Sequence, residues 1–95
     1  MKPVVVYYSP SCAFSAATVS FLLLRGADAR LVNVEANLEE KRRAEAAVAG
    51  KFETPTLHIA EGWHVAPSLS DLKKLLEQAG LPDEHAPHTR LKKVG

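Results

Sequence analysis

Five consecutive residues near the amino terminus, Val4-Val5-Val6-Tyr7-Tyr8, are β-branched or aromatic, with no charged or amide side chain among them. A strand built this way must be covered on both faces, which commits the chain to an α/β sheet with helices above and below it. Ser9-Pro10-Ser11 stops the strand. From Ala13 to Arg25 the apolar residues recur at helical spacing, with Phe14, Ala17, Phe21 and Leu24 along one side and Leu22 and Leu23 widening the stripe. Gly26 supplies the left-handed position that ends a helix. Arg30–Val34 reads as a second strand, so the opening is a βαβ unit with a right-handed crossover.

The remainder continues in the same style. Asn37 followed by Glu40 has capping-box spacing and predicts a helix through Val48, closed at Gly50. Its Glu39, Lys41, Arg42, Arg43 and Glu45 interleave both signs, the pattern of a solvated face and not of a docking patch. Thr56–Ala60 and Trp63–Val65 flank Glu61-Gly62 and predict an antiparallel hairpin. A last helix starts near Ser68 or Ser70, with Leu69, Leu72, Leu76 and Ala79 on one face, and stops at Gly80 and Pro82. Residues 83–95 are polar and without period, so the expected organisation is one domain over 1–80 and a mobile tail over 81–95.

Composition narrows the function. Of 95 residues, 46% are hydrophobic and one is cysteine, enough for a single core and too few thiols for a disulfide or for a metal centre within one chain. Twelve Lys and Arg against eleven Asp and Glu exclude a nucleic-acid binder. Lys2, the apolar run after it and Ala27-Asp28-Ala29 are ingredients of a secretory signal, but Ser9-Pro10-Ser11 and Arg25 interrupt them. No stretch reaches the roughly 18 apolar residues of a membrane span. A cytoplasmic, thiol-reducing setting is the default expectation.

Cys12 is the candidate functional residue. It falls where the first strand hands over to the first helix, at or beside the helix N-cap, where unpaired N–H groups and the positive dipole end favour thiolate over thiol. Loops after the carboxyl ends of parallel strands are also where open α/β sheets bind ligands. Three residues on stands Ser15, whose hydroxyl cannot displace a mixed disulfide, so any disulfide formed by Cys12 must be cleared by an external thiol, of which glutathione is the abundant cytoplasmic one. Thr54-Pro55-Thr56 precedes the hairpin. Pro55 fits either a turn leading into the strand or a cis peptide that leaves the Thr54 backbone free to pair with a peptide-like ligand. His58 is expected on the sheet face opposite Leu57 and Ile59 in a structural role, Trp63 as a cover for the sheet, and one of Tyr7 and Tyr8 in the core. His85 and His88 share the spacing of one helix face but fall in the tail.

Three segments, Val5 to Ser15, Thr54-Pro55-Thr56 and Ser68-Leu69-Ser70-Asp71-Leu72, together resemble the glutaredoxin family of the thioredoxin fold, over about residues 3–80. Cys12-Ala13-Phe14-Ser15 is similar to the Cys-Gly-Phe-Ser signature of monothiol glutaredoxins, with one substitution. The resemblance implies a thioredoxin-like three-layer α/β/α sandwich, in which a four-stranded mixed sheet meets three helices in the order β-α-β-α-β-β-α. It implies a cis-proline at Pro55 facing Cys12, an active-site motif of Pro10, Ser11, Ala13, Phe14 and Ser15 around the nucleophile, and glutathione contacts at Lys51, Thr54, Pro55, Ser68 and Asp71. Two activities follow from it: reduction of glutathionylated or disulfide-bearing proteins by a monomer, or carriage of a [2Fe–2S] cluster by a dimer, each chain giving Cys12 and one glutathione. A third reading, a redox-inactive binding module, draws on the departures: Ser9 stands where many members carry a lysine, and Ala66-Pro67 where they carry paired glycines.

Overall fold

A computed structural model describes residues 2–80; the predicted tail, with His85 and His88, lies outside the described residues. The elements run β1 (Val4–Tyr8), α1 (Ala13–Leu24), β2 (Ala29–Asn33), α2 (Leu38–Ala47), β3 (Thr56–Ile59), β4 (Gly62–Val65) and α3 (Leu69–Gln78). The sheet order is β2-β1-β3-β4, with β1 parallel to β2 and antiparallel to β3, and β4 antiparallel to β3. The fold is therefore the expected thioredoxin-like α/β/α sandwich.

The continuous apolar run of β1 is explained by its central place. Val4 and Val6 join Leu57 and Ile59 in a core closed by Leu22 of α1 and by Leu72, Leu76 and Ala79 at α3. Tyr7 faces the other way and packs with Val32, Val34 and Ala44 of α2, with Val5, Phe52 and Trp63 alongside. Tyr7 is thus the core tyrosine of the α2 side, whereas Tyr8 packs against the α1/α3 side. His58 stacks on Trp63 at 4.1 Å between ring centroids, and Trp63 stacks on Tyr7 at 5.6 Å, so Trp63 covers the sheet as expected.

Several local expectations are corrected. On α1 the buried residues are Ser15, Thr18 and Leu22, and of the predicted Phe14-Ala17-Phe21-Leu24 stripe only Phe21 packs against the core, while Phe14 is 38% exposed and Leu24 88% exposed. The helix has no charged residue, so its pattern does not mark a face; the hand-over from β1 does, because the Ser9 N–H donates to Ser15 Oγ at 3.2 Å and turns that side inward. The capping box at α2 does not form. Asn37 Nδ2 donates instead to the Asn33 carbonyl at 2.9 Å, and Glu40 pairs with Arg30 at 2.9 Å and Arg43 at 3.0 Å. The hairpin link is Ala60-Glu61, one residue earlier than the glycine suggested, since Ile59 pairs with Gly62. Ala60 takes the left-handed conformation with φ 54°. Ser68, not Ser70, caps α3, accepting from the Asp71 N–H at 3.1 Å. Leu69 falls off the core face of α3 and is 40% exposed.

Candidate active site

The end of β1 and the start of α1 are joined by one tight turn. The Cys12 N–H donates to the Ser9 carbonyl at 3.0 Å, and the Ala16 N–H to the Cys12 carbonyl at 3.0 Å. Cys12 is therefore the N-cap of α1, with extended backbone (φ −101°, ψ 117°) and a half-buried thiol. Its thiol is held below the usual cysteine range, first by the backbone N–H of Ser15, then by the side chains of Thr54 and Ser15, with the Phe14 N–H adding to them and partial desolvation opposing. The Thr54 carbonyl also lies 3.7 Å from Sγ, a weak acceptor for the protonated thiol. The N-terminal N–H groups of α1 thus meet a sulfur in place of a capping hydroxyl, which is the electrostatic setting that lowers thiol pKa values.

Thr54 reaches the sulfur because the chain before β3 is pinned. The Thr54–Pro55 peptide is cis. The Pro55 carbonyl accepts from the Ala66 N–H at 2.8 Å, and the buried Thr56 hydroxyl donates to the Glu53 carbonyl at 2.5 Å. Ala66 sits at φ 45°, a region glycine enters without cost, at a position where the resemblance places a glycine.

Of the residues expected in the site, Cys12, Ser15, Thr54 and Pro55 are brought together, with Phe14 contributing its N–H. Pro10, Ser11 and Ala13 are exposed on the turn and at the start of α1. Ser68, Asp71 and Lys51 lie on other segments. Ser68 and Asp71 bond to each other at the start of α3, where Asp71 also lines a groove of about 410 Å³ with His64 and Lys74. Lys51 is exposed, its N–H donating to the Val48 carbonyl at 3.1 Å.

Glu35 is the residue that sequence reasoning missed. Its Oε2 accepts from the hydroxyls of both Ser9 and Ser11 and from the Ser11 N–H at 3.3 Å. The Ser11 hydroxyl, the Ser9 hydroxyl and the Ser11 N–H, in that order, hold the carboxyl below its ordinary range. The signal was present in the topology: parallel strands end side by side, with Tyr8 opposite Asn33, so a residue two past the end of β2 lands on the turn that follows β1. A cleft of about 390 Å³ opens there, reaching from Ser9 and Thr54 to Glu35, Glu45 and Glu53.

Among the described residues no group of three or more His, Cys, Asp or Glu side chains is placed to hold a metal ion, and no helix is long and apolar enough to cross a membrane. The fold and the thiol at the head of α1 define a thioredoxin-like protein. A family model described as Glutaredoxin matches residues 4–65, from β1 through β4, and the chain belongs to the glutaredoxin family. No curated protein gives a match to the chain. Membership supports a thiol–disulfide oxidoreductase-like function in a family that generally uses glutathione and acts on protein disulfides.

Proposed function

We propose that the protein is a monothiol oxidoreductase in which Cys12 alone is the nucleophile and glutathione is the external resolving thiol. The observation that carries this reading is the Cys12 thiol at the N-cap of α1, stabilised as thiolate by the Ser15 N–H. In the first exchange the thiolate attacks one sulfur of a disulfide; the Cys12–S bond forms as the S–S bond breaks, and the other sulfur leaves as a thiolate that takes a proton from solvent. In the second, glutathione as thiolate attacks the mixed disulfide, releases Cys12 as thiolate and keeps the carried half as a new mixed disulfide. Ser15 takes no covalent part. Its N–H and hydroxyl favour the thiolate, and its Oγ accepts from the Ser9 N–H to fix the turn. The edge at Thr54-Pro55, beside the sulfur, suits the backbone of the bound half. A reducing compartment such as the cytoplasm supplies the resolving thiol.

The test is single-turnover reduction of a glutathionylated peptide by the full chain, followed by mass spectrometry. The reading predicts a Cys12 mixed disulfide that glutathione clears, and loss of both steps in Cys12→Ser. An undiminished rate in that variant would contradict it.

A further inference from the structure

Glu35 is a charged group with only neutral partners, bonded to Ser11, the residue before the nucleophile. All three of its donors converge on Oε2, and they hold the carboxylate against the Ser9–Cys12 turn instead of letting it swing into solvent. The adjoining cleft begins at Ser9, which opens the turn, and at Thr54, whose carbonyl lies 3.7 Å from the sulfur. Within it Lys41 and Glu45 lie 4.0 Å apart and offset each other, while neither Glu35 nor Glu53 has an ion-pair partner among the described residues. The cleft also holds Val34, Leu38 and Phe52, an apolar floor suited to the methylene stem of a side chain that ends in a cation. An anionic group entering here would meet uncompensated carboxylates, and a cationic one would be drawn in.

We propose that Glu35 is a specificity-determining residue: it favours disulfides in which the half that stays on Cys12 carries an ammonium or guanidinium a few bonds from its sulfur. The inference rests on Cys12 acting as nucleophile. The thiolate attacks the sulfur of the cationic half, the S–S bond breaks, the other half leaves as a thiolate that is protonated by solvent, and the cation remains in the cleft until glutathione attacks the mixed disulfide.

The test measures second-order rates of Cys12 modification in the full chain with three symmetrical disulfides, cystamine (cationic), 2-hydroxyethyl disulfide (neutral) and 3,3′-dithiodipropionate (anionic). Each rate is divided by that of the same chain unfolded in urea, which removes intrinsic leaving-group differences and the charge of the thiolate itself. The expected result is an order cationic, neutral, anionic, with the cystamine to dithiodipropionate ratio reduced about three- to tenfold in Glu35→Gln and shrinking in wild type as salt shortens the screening length. The disulfide of N-acetyl-Cys-Lys-amide, compared with that of N-acetyl-Cys-Glu-amide, tells whether the preference extends from small aminothiols to basic peptide segments. Normalised rates independent of substrate charge would overturn the proposal, as would a Glu35→Gln variant that slows all three substrates equally, which would make Glu35 a brace only. If that variant does not fold, the salt dependence of the wild-type ratios decides alone. A Cys12 that reacts with none of the three would instead overturn the proposed function, and this inference with it.

Discussion

Two helices of this protein begin in the same way and end up with different jobs. Cys12 and Ser68 are both N-caps with extended backbone, at the heads of α1 and α3. Ser68 closes its helix with its own side chain, accepting from the Asp71 N–H, and Ser70 Oγ lies 3.5 Å from the Ser68 hydroxyl. Cys12 makes no such side-chain cap, and the N–H groups of Ser15 and Phe14 serve its sulfur. A hydroxyl at an N-cap stabilises the helix; a thiol at the same place is itself stabilised as an anion by the helix. The difference lies in one atom and in what surrounds it, since Cys12 also sits at the carboxyl end of β1, beside Thr54 and the turn held by Glu35.

The largest effect is expected from making the two caps alike. Cys12→Ser should abolish disulfide exchange, and by restoring a capping hydroxyl it should raise stability by about 1 kcal/mol near or below neutral pH, read from urea unfolding. The same pair of proteins carries a pH signature. Because the folded state lowers the Cys12 pKa, the wild type has an added stability that is fully present above the thiol pKa of the unfolded chain and is lost as pH falls through the lower, folded value. The stability gap between the two should therefore narrow or invert as pH rises through that window.

Ser15→Ala is next in size. It removes the acceptor of the Ser9 N–H and one donor to the sulfur, so it should cost about 1–3 kcal/mol and move the alkylation midpoint of Cys12 upward. Ser68→Ala should cost about 1 kcal/mol and leave the Cys12 midpoint unmoved, which separates a stabilising cap from a reactive one. The smallest effect is expected at Ala66, two residues before Ser68 and in the left-handed region; Ala66→Gly should stabilise by up to about 1 kcal/mol in thermal unfolding, with exchange rates unchanged.

The sequence made the fold legible where two levels of pattern agreed. The β1 run demands cover on both faces, and strand, helix, strand, helix, hairpin, helix leaves few ways to provide it. The faces of α1 were illegible because an uncharged helix has no polar side to exclude, and its inward side is fixed by a hydrogen bond between Ser9 and Ser15. The same limit applies to the α2 cap, where Asn37 and Glu40 have the right spacing but find better partners in Asn33, Arg30 and Arg43. Cys12, Thr54 and Pro55 could be read because their chemistry is local to a strand end or a proline. Glu35 could not, because its role depends on β2 and β1 ending side by side, a fact of tertiary structure. Lys51, Ser68 and Asp71 rest on resemblance as ligand contacts, because no local pattern marks a side chain that would meet a ligand only across the fold; the bonds at Lys51 and Asp71 come from their backbone N–H groups.

The proposed chemistry depends on the state of one sulfur. Iodoacetamide alkylation of Cys12, followed from acid to alkaline pH in the folded protein and in the same chain in urea, measures that state directly. A folded midpoint below the unfolded one, moved upward by Ser15→Ala and not by Ser68→Ala, is the predicted result. Coincident folded and unfolded midpoints would show an ordinary thiol at the head of α1 and would contradict a helix-stabilised thiolate at Cys12.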